Sequence, residues 1–115
     1  MSQDFEKMMV ELRADYVASF PNKINDIQNH HQNQELERLR DDFHKLKGTG
    51  KTYGIPEITD YGFFFEKLCL KKHPSVEFVP FACTLLQLIY EQRTKLQPYD
   101  IEQNAEFQKW KKLAL

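Results

Sequence analysis

The chain has 115 residues, 16 Lys and Arg against 17 Asp and Glu, and a formal charge of −1. That length suits a single domain whose core needs neither disulfides nor metal, and the near-neutral total argues against a general nucleic-acid binder, which needs a cationic excess to hold phosphates. No apolar run approaches the ~20 residues that cross a bilayer, so no membrane insertion is expected. The opening MSQDFEKMMVELRADY carries acids throughout and no apolar core, so it does not read as a signal peptide. A small cytoplasmic domain is the expectation. Cys69 and Cys83 then read as buried thiols rather than a disulfide or redox pair.

Helical periodicity dominates the chain. Phe5, Met8, Met9, Leu12, Tyr16 and Phe20 fall on one face of a first helix, with Ser2 as its N-cap. Pro21 should bend or restart it, and Ile24 and Ile27 continue the stripe toward His31. The polar run Asn29–Gln34 reads as a connection. A second helix starting near Gln34 would bury Leu36, Leu39, Phe43, Leu46, Gly50 and Tyr53, and Gly54-Ile55-Pro56 ends it. Pro56 opens a third helix carrying Ile58, Tyr61, Gly62, Phe65, Leu68 and Cys69, which closes at Lys71-Lys72. His73-Pro74-Ser75 is a break. A fourth helix is expected from about Phe78 to Leu96, with Phe81, Leu85, Leu88 and Ile89 making it apolar on most sides. Asp100 can cap a last amphipathic helix whose Phe107, Trp110 and Ala114 share a face. No segment alternates with period two for long enough to argue a strand. The economical solution is an all-α fold: an antiparallel four-helix bundle over residues 1–97, with an additional C-terminal helix or tail over 98–115.

Gly48-Thr49-Gly50-Lys51-Thr52 resembles the end of a phosphate-binding P-loop, but the motif would need glycine at position 45, which is Lys. A strand must also lead into such a loop, and Leu36–Lys47 is helical in pattern. The helical reading is more informative. At about 100° per residue, with His44 at zero, Arg40, Lys47, Gly48 and Lys51 all lie within about 60° of it, and the apolar residues lie opposite. His44 therefore points to solvent from mid-helix with cations a turn away on either side. Gly48 leaves the space beside the imidazole open, at a helix cost of ~1 kcal/mol that some steric demand must offset. A neutral imidazole is a nucleophile near pH 7, and Lys47 and Lys51 can neutralise the oxygens of a phosphoryl group placed on it. Nothing else in the sequence would hydrolyse that phosphate, which suits a relay better than an enzyme.

The run His44-Lys45-Leu46-Lys47-Gly48-Thr49-Gly50-Lys51-Thr52-Tyr53-Gly54 closely resembles the signature of histidine-containing phosphotransfer (HPt) domains of two-component phosphorelays, H-x-L-K-G-(S/T)-(S/A/G)-x-x-(L/F/Y)-G. The resemblance covers the helical pattern over roughly residues 5–96. It implies that His44 accepts the phosphoryl group on Nε2, that Lys47 steadies the phosphate and that Gly48 keeps the site open. It further implies that Gly62 is the small residue facing the histidine helix and that Glu66 holds Nδ1–H and fixes the tautomer. Its implied partners are a response-regulator receiver domain, a sensor histidine kinase, or both. No cofactor or metal is expected here, since the Mg²⁺ of the exchange belongs to the receiver domain. The chain is expected to be a monomer.

Other features have plainer readings. His30 and His31 are adjacent and do not share a helix face, so a metal site there is not expected. Phe63–Phe65 and Met8-Met9 read as core, unless Phe63 or Phe64 is exposed and belongs to a docking patch. Phe107 and Trp110 read as docking on the bundle. A helical adaptor that binds a signalling partner without phosphotransfer is the alternative function.

Overall fold

A computed structural model of the chain describes residues 2–71 and 77–115, Ser2 by its backbone alone. The cap assigned to Ser2, Lys72 at the end of the third predicted helix and the break at His73-Pro74-Ser75 fall outside that description. Among the described residues six α-helices follow one another: α1 (Ser2–Ala18), α2 (Phe20–Gln32), α3 (Leu36–Thr49), α4 (Pro56–Leu70), α5 (Phe78–Thr94) and α6 (Ala105–Ala114). Short 3-10 turns lie at Lys51–Tyr53 and Ile101–Gln103, and no strand occurs among the described residues.

Proline sets two of the helix starts. Pro21 sits in the first turn of α2 and Pro56 in the first turn of α4, where a missing N–H costs nothing. α1 and α2 thus form one long rod broken at Ser19, and the four rods of the bundle are α1–α2, α3, α4 and α5. The packing is antiparallel. Along α3 and α4, Lys47 lies by Gly62 and His44 by Glu66, so the pairs run in opposite order. Tyr61 and Phe65 meet Ala82 and Phe78 of α5 in the same reversed sense. Phe20, Ile27, Leu39, Phe43, Phe65 and Phe78 are fully buried at the centre, each contributing roughly 1.5–3 kcal/mol by leaving water. Tyr61 is also fully buried, and its hydroxyl donates to the Ala82 carbonyl at 2.7 Å, which offsets the cost of burying a polar group.

The C-terminal segment packs on the bundle. Phe107 is fully buried against Phe64 and Phe65, and Trp110 meets Phe78 edge-on. Buried Glu57 holds the chain leading into α6. It accepts two hydrogen bonds from Arg93, at 2.9 and 2.7 Å, and a third from the Tyr99 N–H at 2.9 Å. Asn104 caps α6 by accepting from the Phe107 N–H at 2.9 Å. Asp100, expected to cap this helix, instead caps the preceding 3-10 turn through the Glu102 N–H, because that turn occupies the residues between.

Other expectations are corrected. The run Asn29–Gln34 is helical as far as Gln32, since Asn, His and Gln cost a helix only tenths of a kcal/mol each once Ile24 and Ile27 anchor it. The true turn is at Asn33 and Gln34, the latter at φ 57. The first half of α1 is not core: Phe5 is 60 % exposed, and Met8 and Leu12 are exposed as well. Its last turns pack instead, where Arg13 donates to the Tyr53 carbonyl at 2.8 Å and Tyr16 stacks on Tyr53. Leu36 opens α3 at the bundle's edge and is exposed, as are Leu88 on α5 and Phe63 on α4.

Candidate functional site

His44 stands in the middle of α3, on the face away from Leu39, Phe43 and Leu46, and its side chain is 54 % exposed. The helix it faces comes unusually close. A Cβ on Gly62 would meet the Lys47 N and sit 2.5 Å from the Phe43 carbonyl oxygen. Only glycine permits that approach, and the approach brings Glu66, one turn further along α4, up to the histidine.

Glu66 is the centre of the site. Its side chain is 8 % exposed, and its two oxygens are shared. Oε2 lies 2.6 Å from His44 Nδ1, and Oε1 accepts from Lys47 Nζ at 2.7 Å. Arg40, one turn before His44, places a guanidinium nitrogen 3.7 Å from the same Oε2. Burial pushes the Glu66 carboxyl upward, but the hydrogen bonds and charges of Lys47 and His44 outweigh it and hold the group below its ordinary value of 4.5. Glu66 is therefore ionised at neutral pH. An ionised carboxylate only accepts, so Nδ1 carries the proton and a neutral ring keeps its lone pair on Nε2.

The predicted residues divide into two groups. His44, Lys47, Gly62 and Glu66 converge on one site. Gly48 lies in the last turn of α3, and a Cβ there would meet nothing within 4 Å, so the space beside the imidazole is open. Gly50 is not in a helix interior; it closes α3 and packs tightly on Thr59 and Ile55 of the following segment. Lys51 belongs to the 3-10 turn beyond the helix. It is exposed, its backbone N–H donates to Thr59 Oγ1 at 2.8 Å, and no hydrogen bond or ion pair joins it to His44 or Glu66. Arg40 lies outside the matched signature and was not among the predicted site residues. Its position four residues before His44 was the available signal.

Both cysteines and the His30–Asp42 pair lie outside the site. Burial raises the Cys69 thiol to about 12 and the Cys83 thiol to about 11, far from the range of a reactive thiolate, and both cysteines are free. His30 pairs with Asp42 at 2.5 Å. No group of residues that could hold a metal ion occurs among the described residues, and no described helix is long and apolar enough to cross a membrane.

A helical bundle that presents an exposed histidine in mid-helix, braced from behind by a buried carboxylate, has the form of a phosphoryl carrier. A family model described as Hpt domain matches residues 11–95, most of the chain, and the protein belongs to that family. Hpt domains carry phosphoryl groups on histidine in two-component phosphorelays and are carriers rather than kinases. No curated protein and no solved structure gives a significant match.

Proposed function

We propose that this protein is a phosphorelay intermediate that accepts a phosphoryl group on His44 Nε2 from the phosphoaspartate of a receiver domain and returns it by the reverse step. The observation that carries the reading is Glu66, which bonds His44 Nδ1 and Lys47 Nζ at once. Nε2 attacks phosphorus, a P–N bond forms, and the P–O bond to the aspartyl group breaks with its electron pair leaving on the carboxylate. Nδ1 keeps its proton throughout, so the transfer needs no base. The positive character of the phosphorylated ring is balanced by Glu66, which was ionised beforehand and needs no reorganisation.

Lys47 is already within the site and turns to the phosphoryl oxygens; Lys51 supplies a second cation from the rim. Gly48 leaves room for the incoming phosphate and partner. Exposed Phe63 and Leu70 on α4 lie on the same side of that helix as Glu66, and they provide the apolar border of a modest docking face. The Mg²⁺ of the exchange is assigned to the receiver domain, with no cofactor on this chain, and the setting is cytoplasmic. Incubation with a phosphorylated receiver domain or a sensor kinase tests the assignment. Label should reach the wild type and not His44→Gln. Equal labelling of both would refute it.

A further inference from the structure

We infer that Arg40 is a positioning residue of the relay, holding the Glu66 carboxylate against His44 and then balancing the charge of the phosphorylated site. The inference rests on the phosphotransfer reading above and adds a residue to it. Two independent features carry it.

The first is geometric. Side chains of an α-helix lean toward its N-terminus, so the His44 ring tilts back over the turn that bears Arg40, four residues earlier. From there Arg40 reaches the same carboxylate oxygen, Oε2 of Glu66, that binds His44 Nδ1. Lys47, from the other side, takes Oε1. Each oxygen of the buried carboxylate is thus fixed by a cation on α3, and the rotation that would turn Oε2 away from the imidazole is opposed on both sides. At 3.7 Å, with the guanidinium side chain 41 % exposed, Arg40 is close enough to attract the carboxylate and is not committed to it by a short hydrogen bond.

The second is charge. With His44 neutral, Glu66 is outnumbered by Lys47 and Arg40, and the resting site carries one surplus positive charge. Transfer moves a PO₃⁻ unit onto Nε2 while Nδ1–H stays in place, so the phosphohistidine has a net charge of about −1. Among the groups that touch Glu66, the charges then sum to zero with Arg40 and to about −1 without it, Lys51 on the rim being a more distant counter-charge. Without Arg40, more of the negative charge beside the buried carboxylate goes uncompensated, which is unfavourable at the low effective dielectric of a partly buried site.

The test compares Arg40→Ala, Arg40→Gln and Arg40→Lys with the wild type for phosphate exchange with a receiver domain. The readouts are the equilibrium fraction on His44, the lifetime of the phosphohistidine and thermal unfolding. Arg40→Ala and Arg40→Gln should lower the fraction on His44 roughly three- to tenfold, the range of a partly exposed charged contact, and shorten the lifetime. Arg40→Lys should recover most of that loss, and the deficit should shrink as salt rises. Thermal unfolding should be unchanged in all three. If Arg40→Ala partitions phosphate as the wild type does, or if Arg40→Lys fails as badly as Arg40→Gln, the inference is overturned while the phosphotransfer reading stands. If the wild type itself takes up no phosphate, that reading fails first.

Discussion

Glu66 has two oxygens shared among His44, Lys47 and Arg40, and its protonation state decides what His44 can do. Its folded carboxyl is held below the ordinary value of 4.5, so the sign of the linkage is clear: the contribution is complete above that value and fades as pH falls through the lower folded one. Glu66→Gln should therefore destabilise the protein by about 1 kcal/mol at pH 7, since its partners are partly exposed. In urea unfolding the difference from wild type should narrow steadily as pH falls below the ordinary carboxylate value of 4.5. A gap that stays constant into acid would show that the charge of Glu66 is not what stabilises the site. The same substitution should slow transfer at neutral pH, because an amide no longer specifies the tautomer with the proton on Nδ1.

At the scale of elements, the site depends on how α3 meets α4, and two glycines on those helices should respond in opposite ways. Gly62→Ala drives a methyl into the Lys47 backbone and the Phe43 carbonyl; the helices must separate, at a cost of about 1–3 kcal/mol, and His44 loses its contact with Glu66. Gly48→Ala enters open space and should stabilise α3 by about 0.5–1 kcal/mol while impeding the approach of a partner. Paired measurements of melting and transfer rate check this. A Gly62→Ala protein as stable and as active as wild type would refute the close approach.

The helices themselves were legible from periodicity and from Pro21, Gly54 and Pro56, because those residues act locally. His44 was legible too, since helical phase alone put it opposite Leu39, Phe43 and Leu46. Arg40 was less so: its phase was readable, but its reach to Glu66 depends on the distance between α3 and α4, which no single helix encodes. The exposed Phe5, Met8 and Leu12 illustrate the converse. An apolar stripe states that a helix could pack, and only the tertiary arrangement determines whether anything covers it.

For the whole molecule, the tail beyond α5 joins the core from outside the span that matches the family. Phe107 is fully buried against Phe64 and Phe65, and buried Glu57 ties Tyr99 to Arg93. Phe107→Ala should cost about 3–5 kcal/mol and lower the melting temperature substantially. At temperatures where the variant remains folded, phosphate exchange at His44 should persist, since Phe107 packs on the Phe64 and Phe65 rings of α4. Loss of transfer in a folded Phe107→Ala protein would mean that the tail takes part in the site.

In the proposed relay Glu66 reserves Nδ1 for a proton and so directs phosphate to Nε2 of His44. Long-range ¹H–¹⁵N correlation spectra of the imidazoles, recorded before and after phosphorylation by a receiver domain, test it most directly. Resting His44 should be protonated on Nδ1, and phosphorylated His44 should show phosphorus coupled to Nε2. Phosphorus on Nδ1, or on any residue other than His44, would contradict it.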